Sequence, residues 1–264
     1  MKRKRLYGLL LILVFPLSGW GQTIVKDLEE EYALGTEALQ AMQYQKAVRH
    51  FYECVRMAPE QTDYTGKLAY AYLQAGNYTE AKLYYQKLLG MDSSSVAARS
   101  SLGLIYDFEQ NYELSLEEYE AALELDTSNA YYFKQAGFAA LKGGYGNAAI
   151  AYLNRSLQLN PTDLVVIDEL VDLYLQMDRF EGSLDYALEL AQKGYQIDST
   201  NLRMIYARAR THHKRKEYDE TIYTVERALS LGDTVPYYQT ILSVACLKTE
   251  QTRPEEAVFH LQHV

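Results

Sequence analysis

Apolar residues recur three and four positions apart along almost the whole chain, and short polar breaks interrupt them at regular intervals. Residues 68–72 show this spacing, and it resumes after a break at residues 76–77 with Ala81, Tyr84 and Leu88. The spacing predicts two amphipathic helices joined by a tight turn. Two helices of about 14 residues, each about 20 Å long, need about 34 residues with their turns. Neither helix can bury its apolar side alone, so consecutive helix pairs are expected to stack on one another.

Like residues return at intervals of 34 positions, or of two or three times 34, which indicates that the helix pair is repeated. The series are Leu34, Leu68 and Leu102; Tyr44, Tyr78 and Tyr112; Gly35, Gly103 and Gly137; Ala47, Ala81 and Ala149; and Pro59 and Pro161. Small residues at the Gly and Ala positions are expected to let two helices approach closely. Large residues, namely Phe51, Tyr85 and Tyr119, are expected to fill the space between helix pairs.

The period divides the chain into seven repeats, of which the fifth and sixth are irregular. The repeats are 28–61, 62–95, 96–129, 130–163, 164–201, 202–235 and, incomplete, 236–264. The fifth is four residues longer, which predicts either a second helix with one more turn or a helix that ends at Gly194 before a longer loop. In the sixth, Arg208 and His212 replace the Leu and Tyr of other repeats, which predicts polar or looser packing.

The seventh repeat carries two extra residues around Thr249–Pro254 and reaches only Val264. Its predicted second helix is apolar at Val258, Phe259 and Leu261, and no polar capping helix follows it. Because solenoids usually need a polar cap to stay soluble, we expect a partner or further repeats to cover that end.

The residues at the repeated positions resemble the tetratricopeptide repeat (TPR). The first repeat shows the match in Tyr32-Ala-Leu34-Gly35, Ala38, Tyr44, Ala47, Phe51 and Ala58-Pro59. The resemblance covers about residues 28–264, and it implies an all-α, right-handed superhelical solenoid of about seven helix pairs. It also implies that the chain binds protein or peptide segments in a concave groove lined by the first helix of each repeat.

In TPR proteins the groove is lined by positions two, five, nine, twelve and thirteen of each repeat, and the resemblance carries these positions over to this chain. They include Tyr70, Leu104, Phe108, Tyr131, Lys134, Phe138 and Leu141, then Asp168 and Asp172, then Arg203, Arg210, His213 and Lys214. The middle of the series is aromatic and apolar, which suits side-chain anchors of a partner. We therefore expect replacement of Phe108 and Phe138 by Ala to abolish the capture of partners.

The last part of this series is basic, with six Arg or Lys residues and no acidic residue between Arg203 and Lys216. One interpretation is a docking site for an acidic tail or an extended peptide. The other is that these side chains pair with acidic residues of the fifth repeat, and the sequence does not decide between the two. The family's Lys/Asn clamp for a terminal carboxylate is not expected, since only Lys67 agrees with it. The other clamp positions hold Tyr32, Thr36, Ser100 and Ser101.

The N-terminus has the pattern of an export signal. Residues 1–5 are basic, residues 6–17 are apolar, and Gly19-Trp20-Gly21 follows, which predicts a signal peptide at 1–21 and a solenoid at 22–264. An uncleaved anchor is the alternative, but the apolar run is shorter than the roughly 20 residues of a membrane span. We therefore expect an exported protein, periplasmic or at the outer surface, without a later membrane span.

The charge balance changes with removal of this leader. The chain has 26 basic and 35 acidic residues, and the leader carries four basic and no acidic ones, so the remainder is 22 minus 35, or −13. Such a balance argues against a nucleic-acid-binding surface, which would be basic. It is compatible with a protein or peptide partner, including one with an acidic segment for the basic stretch.

Candidate chemistry is sparse, and we expect no catalytic, cofactor or metal site. The Gly143–Gly146 stretch reads as a turn between helices rather than as a phosphate loop. His213 and Glu217 share a helical face but lack a third ligand, and His260 and His263 are weaker candidates still. Cys54 and Cys246 are expected to be buried packing residues, not a disulfide, because they lie in the first and last repeats.

The sequence therefore predicts a non-enzymatic scaffold or adaptor of the cell envelope that binds proteins or peptides. One alternative is a sensor or accessory part of a signalling system, whose chain is incomplete here. A less favoured alternative is a hydrolase with a site hidden among the helices.

Overall fold

The computed structural model describes residues 18–177, 180–232 and 236–249, and in these ranges the chain forms thirteen α-helices and no strand. The helices are α1 (Ser18–Gln40), α2 (Tyr44–Met57), α3 (Thr62–Gln74), α4 (Tyr78–Met91), α5 (Val96–Phe108), α6 (Tyr112–Leu125), α7 (Ala130–Lys142), α8 (Gly146–Leu159), α9 (Leu164–Gln176), α10 (Ser183–Ile197), α11 (Leu202–Lys214), α12 (Tyr218–Ser230) and α13 (Pro236–Lys248). They follow one another as antiparallel pairs, α1 with α2 through α11 with α12, which confirms the predicted all-α fold.

Two groups of sequence predictions lie outside the described residues. One is the basic and apolar part of the leader, residues 1–17. The other is residues 250–264, which hold most of the extra residues and the second helix of the seventh repeat, together with His260 and His263. These predictions stay predictions.

Contacts divide the chain into an N-terminal unit, residues 1–101, and a C-terminal unit, residues 102–264. The core of the N-terminal unit forms around Phe51 of α2, which is fully buried. Its ring meets Tyr32 edge-on with 5.9 Å between centroids, and it lies against Gly35 of α1, where an added Cβ would approach the ring to 2.8 Å. Cys54 is buried in the same cluster, so its predicted packing role is confirmed.

The C-terminal unit repeats this contact between a glycine of the first helix and a large side chain of the second. A Cβ at Gly103 would lie 2.9 Å from the ring of Tyr119, and one at Gly137 would lie 2.7 Å from Leu153. These contacts confirm that the repeated glycines mark helix crossings, where small residues permit close approach. Cys246 is buried in the core formed by α11, α12 and α13.

The four extra residues of the fifth repeat lie mainly in a turn. Helix α9 ends at Gln176 and α10 begins at Ser183, so six residues join them, whereas three residues join α3 to α4. Helix α10 has 15 residues and α8 has 14, so the prediction of one more helical turn is wrong. Termination at Gly194 is wrong too: this glycine lies inside α10, where a Cβ would collide with Met204 and lie 3.2 Å from Ile167.

Polar packing in the sixth repeat is confirmed. The guanidinium carbon of Arg208 lies 4.9 Å from the centroid of the Tyr195 ring, and its Nε donates to Nε2 of His212 over 3.3 Å. The buried His212 therefore carries its proton on Nδ1 and donates it to Glu217 over 2.7 Å. A cation–aromatic contact and a short hydrogen-bonded chain thus replace the apolar contacts of other repeats.

The turns inside the helix pairs share one backbone feature. A residue with positive φ occupies the equivalent position in five of them: Met42 (56°), Gly76 (77°), Gln110 (59°), Gly144 (83°) and Lys216 (64°). The Gly143–Gly146 stretch is therefore a repeat turn, as predicted. Side chains other than glycine are disfavoured in this conformation by about 1–2 kcal/mol.

A glycine at such a turn should stabilise the protein. We expect Gln110→Gly to raise the free energy of unfolding by about 0.5–1 kcal/mol, because relief of left-handed strain exceeds the extra entropy that glycine loses on folding. The reverse change, Gly76→Gln, should lower it by a similar amount. Urea unfolding followed by circular dichroism measures both, and a destabilised Gln110→Gly variant would contradict the interpretation.

Candidate protein-binding surface

The first helices of the C-terminal unit leave several large apolar side chains in solvent. Phe108 at the end of α5 is 54% exposed, Tyr131 at the start of α7 is 43% exposed and Val165 at the start of α9 is 43% exposed. Tyr131 and Val165 are 34 positions apart, so they occupy the same place in successive repeats. We call these three residues the first-helix patch; Val165 was missed by the sequence analysis, although it stands at position two of its repeat.

The other predicted apolar residues are either half-buried or part of the N-terminal unit. Leu104 is half-buried, and Phe138 is half-buried against the core cluster that contains Leu153 and Leu170. Tyr70 is 45% exposed on α3, in the N-terminal unit. Phe138 therefore contributes to packing, and its replacement by Ala would disturb the core as well as the surface.

Two lysines of α7 form ion pairs that reach the neighbouring first helices. Nζ of Lys134 lies 3.0 Å from Oδ2 of Asp163, the residue before α9. Nζ of Lys142 lies 2.7 Å from Oδ1 of Asp107 on α5 and 5.7 Å from the centroid of the Tyr112 ring. Lys134, a predicted binding residue, thus links α7 to the start of α9.

Three arginines of the basic stretch pair with acidic residues of the fifth repeat. Arg210 on α11 reaches Asp168 over 2.7 Å and Asp172 over 3.0 Å, both on α9. Arg203 lies 3.5 Å from Asp168, and Arg215 pairs with Asp185 on α10. The interpretation that these basic side chains pair with acidic neighbours therefore holds for all three arginines, and Arg203 and Arg210 link α9 to α11.

Carboxylates are crowded around these arginines. Burial, with the charges of Asp172 and Asp168 adding to it, raises the pKa of Glu169. Burial also raises the pKa of Asp172, against the opposing effect of Arg210 and with a further contribution from Asp168. The positive charge of Arg203 and Arg210 is thus largely neutralised by these carboxylates.

The remaining predicted residues meet in a cleft of about 450 Å³ between α9, α11 and α13. Its lining comprises Asp172, Leu175, Gln176, Arg210, His213, Lys214 and Ile241. The structure brings together Arg210, His213 and Lys214, which were predicted as binding residues. Leu175 and Gln176 were not predicted, although they stand at positions twelve and thirteen of the fifth repeat, and Ile241 carries no sequence signal.

His213 lines the cleft and also packs against the start of α12. Its ring meets Tyr218 edge-on with 6.0 Å between centroids. Burial, together with the nearby charge of Lys248, lowers the pKa of His213. Its Nδ1 is buried and has no hydrogen-bond partner within the part of the chain that the structure describes.

The structure does not pair His213 with Glu217. Glu217 instead contacts His212 and Arg215, each over 2.7 Å. Across the described ranges, no three His, Cys, Asp or Glu side chains are grouped so as to hold a metal ion. A search of the same ranges finds no helix with the length and apolar character of a membrane span.

Two family models for the tetratricopeptide repeat match the chain, at residues 32–96 and 96–129. Among curated relatives, the Hsp70-Hsp90 organizing protein of Triticum aestivum is 26% identical over 104 residues, which are 39% of this chain and 18% of that protein. The type IV pilus assembly protein PilF of Pseudomonas aeruginosa is 29% identical over 154 residues, 58% of this chain and 60% of that protein. The chain thus spans less than two thirds of either relative.

Solved structures share the fold. YrrB, described as a TPR protein with an unusual peptide-binding site, superposes with a TM-score of 0.61 at 21% identity, over 69% of this chain and 91% of its own. A tetratricopeptide-repeat protein from Parabacteroides merdae superposes with a TM-score of 0.64 at 12% identity, over 90% of this chain and 98% of its own.

These matches agree with the observed helix pairs and with the glycine contacts at their crossings. Repeats of this kind stack into extended surfaces that act in protein–protein interaction, and they are typically non-catalytic. Over residues 32–129 this chain carries tetratricopeptide repeats.

Proposed function

We propose that this protein is a non-enzymatic scaffold or adaptor of the cell envelope, which holds segments of partner proteins on the first helices of its repeats. The observation that carries the proposal is the first-helix patch: Phe108, Tyr131 and Val165 are exposed on helices whose other sides are buried. Aromatic side chains that are exposed in the free protein are common anchors of protein interfaces, since they bury a large area at low entropic cost.

Two observations support a place in the envelope. The leader pattern of residues 1–21 is typical of exported proteins. The Pseudomonas relative is a type IV pilus assembly protein, which favours a role in assembling an envelope structure. A scaffold needs no converging acid and base groups. The charged side chains of α9 and α11 form ion pairs that connect these two helices.

The experiment compares the capture of partners by matched variants. We expect the double variant Phe108→Ser, Tyr131→Ser to capture its envelope partners at least about tenfold more weakly, a loss of about 1.4 kcal/mol. Helicity should be unchanged, because both side chains are exposed. Pull-down from an envelope extract, with partners identified and quantified by mass spectrometry, measures the effect.

The control variant removes apolar side chains of second helices that are at least as exposed as Phe108 and Tyr131. Leu83 on α4 and Tyr223 on α12 are exposed, and Leu83→Ser, Tyr223→Ser should capture the same partners as the unmodified protein. Equal capture by all three proteins would show that the first-helix patch is not the binding surface.

A further inference from the structure

We propose that the cleft between α9, α11 and α13 binds an acidic side chain of the partner segment, with an apolar neighbour of that residue lying on Leu175 and Ile241. This inference rests on the proposed function and adds the chemistry of one contact to it. The site differs from the first-helix patch, because none of Phe108, Tyr131 and Val165 lines the cleft.

The shape of the cleft fits a side chain with a polar end. Its volume of about 450 Å³ falls within the range of roughly 300–1,000 Å³ typical of ligand sites. Arg210, His213 and Lys214 are spaced by three and four residues on α11, so they present one face of the helix. Leu175 and Ile241 add apolar area opposite these groups.

The charges around the cleft favour an anion. Its lining contains two cationic side chains, Arg210 and Lys214, against one carboxylate, Asp172. Asp172 and Arg210 lie 3.0 Å apart and offset each other's charge, so Lys214 gives the lining its net positive charge. Lys214 is exposed at the end of α11, where it can reach a bound carboxylate with a charge-assisted hydrogen bond.

Lys248 on α13 adds positive potential beside the cleft: after burial, its charge is the second cause that lowers the pKa of His213. The same potential stabilises a negative group. The charged or titratable groups around the ring and the cleft are Asp168, Glu169 and Asp172 on α9, Arg203, Arg210 and Lys214 on α11, Glu217 and Tyr218 at the start of α12, and Lys248 on α13.

The test uses two defined peptides, acetyl-Gly-Leu-Glu-Leu-Gly-amide and its counterpart with Gln in place of Glu. We expect the Glu peptide to shift the ring resonances of His213 with a Kd of about 1 mM, the order expected of a single small contact. The Gln peptide should bind at least about fivefold more weakly, since it lacks the charge. The His213→Asn variant assigns the resonance among the five histidines.

Two charge-matched variants locate the contact. Lys214→Glu should weaken binding of the Glu peptide about tenfold or more, because it places a carboxylate where the cation stood. Lys216→Glu changes the net charge equally at an exposed residue two positions away that does not line the cleft, and it should change binding less than about twofold, since an exposed charge outside the contact is screened.

Binding should also depend on pH. A bound carboxylate stabilises protonated His213, and burial together with the charge of Lys248 lowers the pKa of this ring in the free protein. The affinity for the Glu peptide should therefore rise as pH falls below about 6.5, the ordinary pKa of histidine. The His213→Asn variant, followed by the resonances of the peptide, should lose this dependence while it keeps its fold.

Three outcomes would overturn the inference: no shift of His213 at saturating peptide, equal binding of the Glu and Gln peptides, or equal effects of Lys214→Glu and Lys216→Glu. If partner capture still required Phe108 and Tyr131, the proposed function would stand and only the cleft contact would fail. If the cleft bound the Glu peptide while capture did not depend on Phe108 and Tyr131, the cleft contact would stand and the proposed function would fail.

Discussion

Phe51→Ala should lower the free energy of unfolding of the N-terminal unit by about 4 kcal/mol, the usual cost of truncating a fully buried phenylalanine. The ring is completely buried, meets Tyr32 edge-on and lies in van der Waals contact with the backbone at Gly35. Since α1 and α2 are held apart at the distance set by this ring, neither helix can move inward freely to fill the cavity.

The neighbouring residue supplies the control for Phe51. Tyr52 is 47% exposed on the same helix, and Tyr52→Ala should cost no more than about 1 kcal/mol. Urea unfolding of both variants, followed by circular dichroism, compares them within one helix. Similar losses for the two variants would contradict the assignment of Phe51 as the centre of this core.

Gly137→Ala should destabilise the C-terminal unit by about 2 kcal/mol, within the range for overpacking a core. The added methyl group would lie 2.7 Å from two atoms of the Leu153 side chain and 3.3 Å from the Leu153 backbone nitrogen. Leu153 is fully buried, so its side chain has no free space to enter, and α7 and α8 must separate. This cost exceeds the gain of up to about 1 kcal/mol that alanine brings to a helix interior.

The same substitution at Gly90 should have the opposite sign. Gly90 is exposed near the end of α4 and an added Cβ would meet no atom within 4 Å. Gly90→Ala should therefore raise stability by about 0.5–1 kcal/mol, the difference in helix propensity. Thermal and urea unfolding of both variants measure the pair, and a stabilised Gly137→Ala variant would rule out the close helix crossing.

Much of the fold was predictable because helix crossings restrict residue size. Gly103 must be small where Tyr119 is large, and Gly35 where Phe51 is large, so the sequence carries the contact as a pattern with a period of 34. The exact place of the four extra residues was not predictable in this way. The recurring residues are displaced by four positions wherever the extra residues lie between them. The pattern therefore could not place these residues, and both predicted places were wrong.

Gly194 shows why that choice failed. A glycine near the end of a helix commonly terminates it, but a glycine inside a helix also permits close approach of a neighbour. At Gly194 the neighbours are Met204 of the next repeat and Ile167 on the first helix of its own repeat. The sequence around this glycine contains neither of them, so local reasoning could not separate the two roles.

The candidate site was predictable in part for a similar reason. The family positions identified Arg210, His213 and Lys214, which do share a cleft. The pairing of Arg210 with Asp168, 42 residues earlier, was one of two open interpretations, because it depends on how α9 and α11 stack. The contribution of Ile241 depends on a third helix, and the half-buried position of Phe138 depends on the core of the next repeat.

The turn between α9 and α10 has a practical consequence. Six residues there replace the three found between α3 and α4, while Val171, Ala187 and Ala191 on the two flanking helices remain buried together. Added length at this kind of loop is therefore absorbed outside the packed helices. The shorter turn at residues 75–77 between α3 and α4 offers a place to insert an epitope tag or a fluorescent reporter, so that the protein can be followed in cells with both of its termini left untouched.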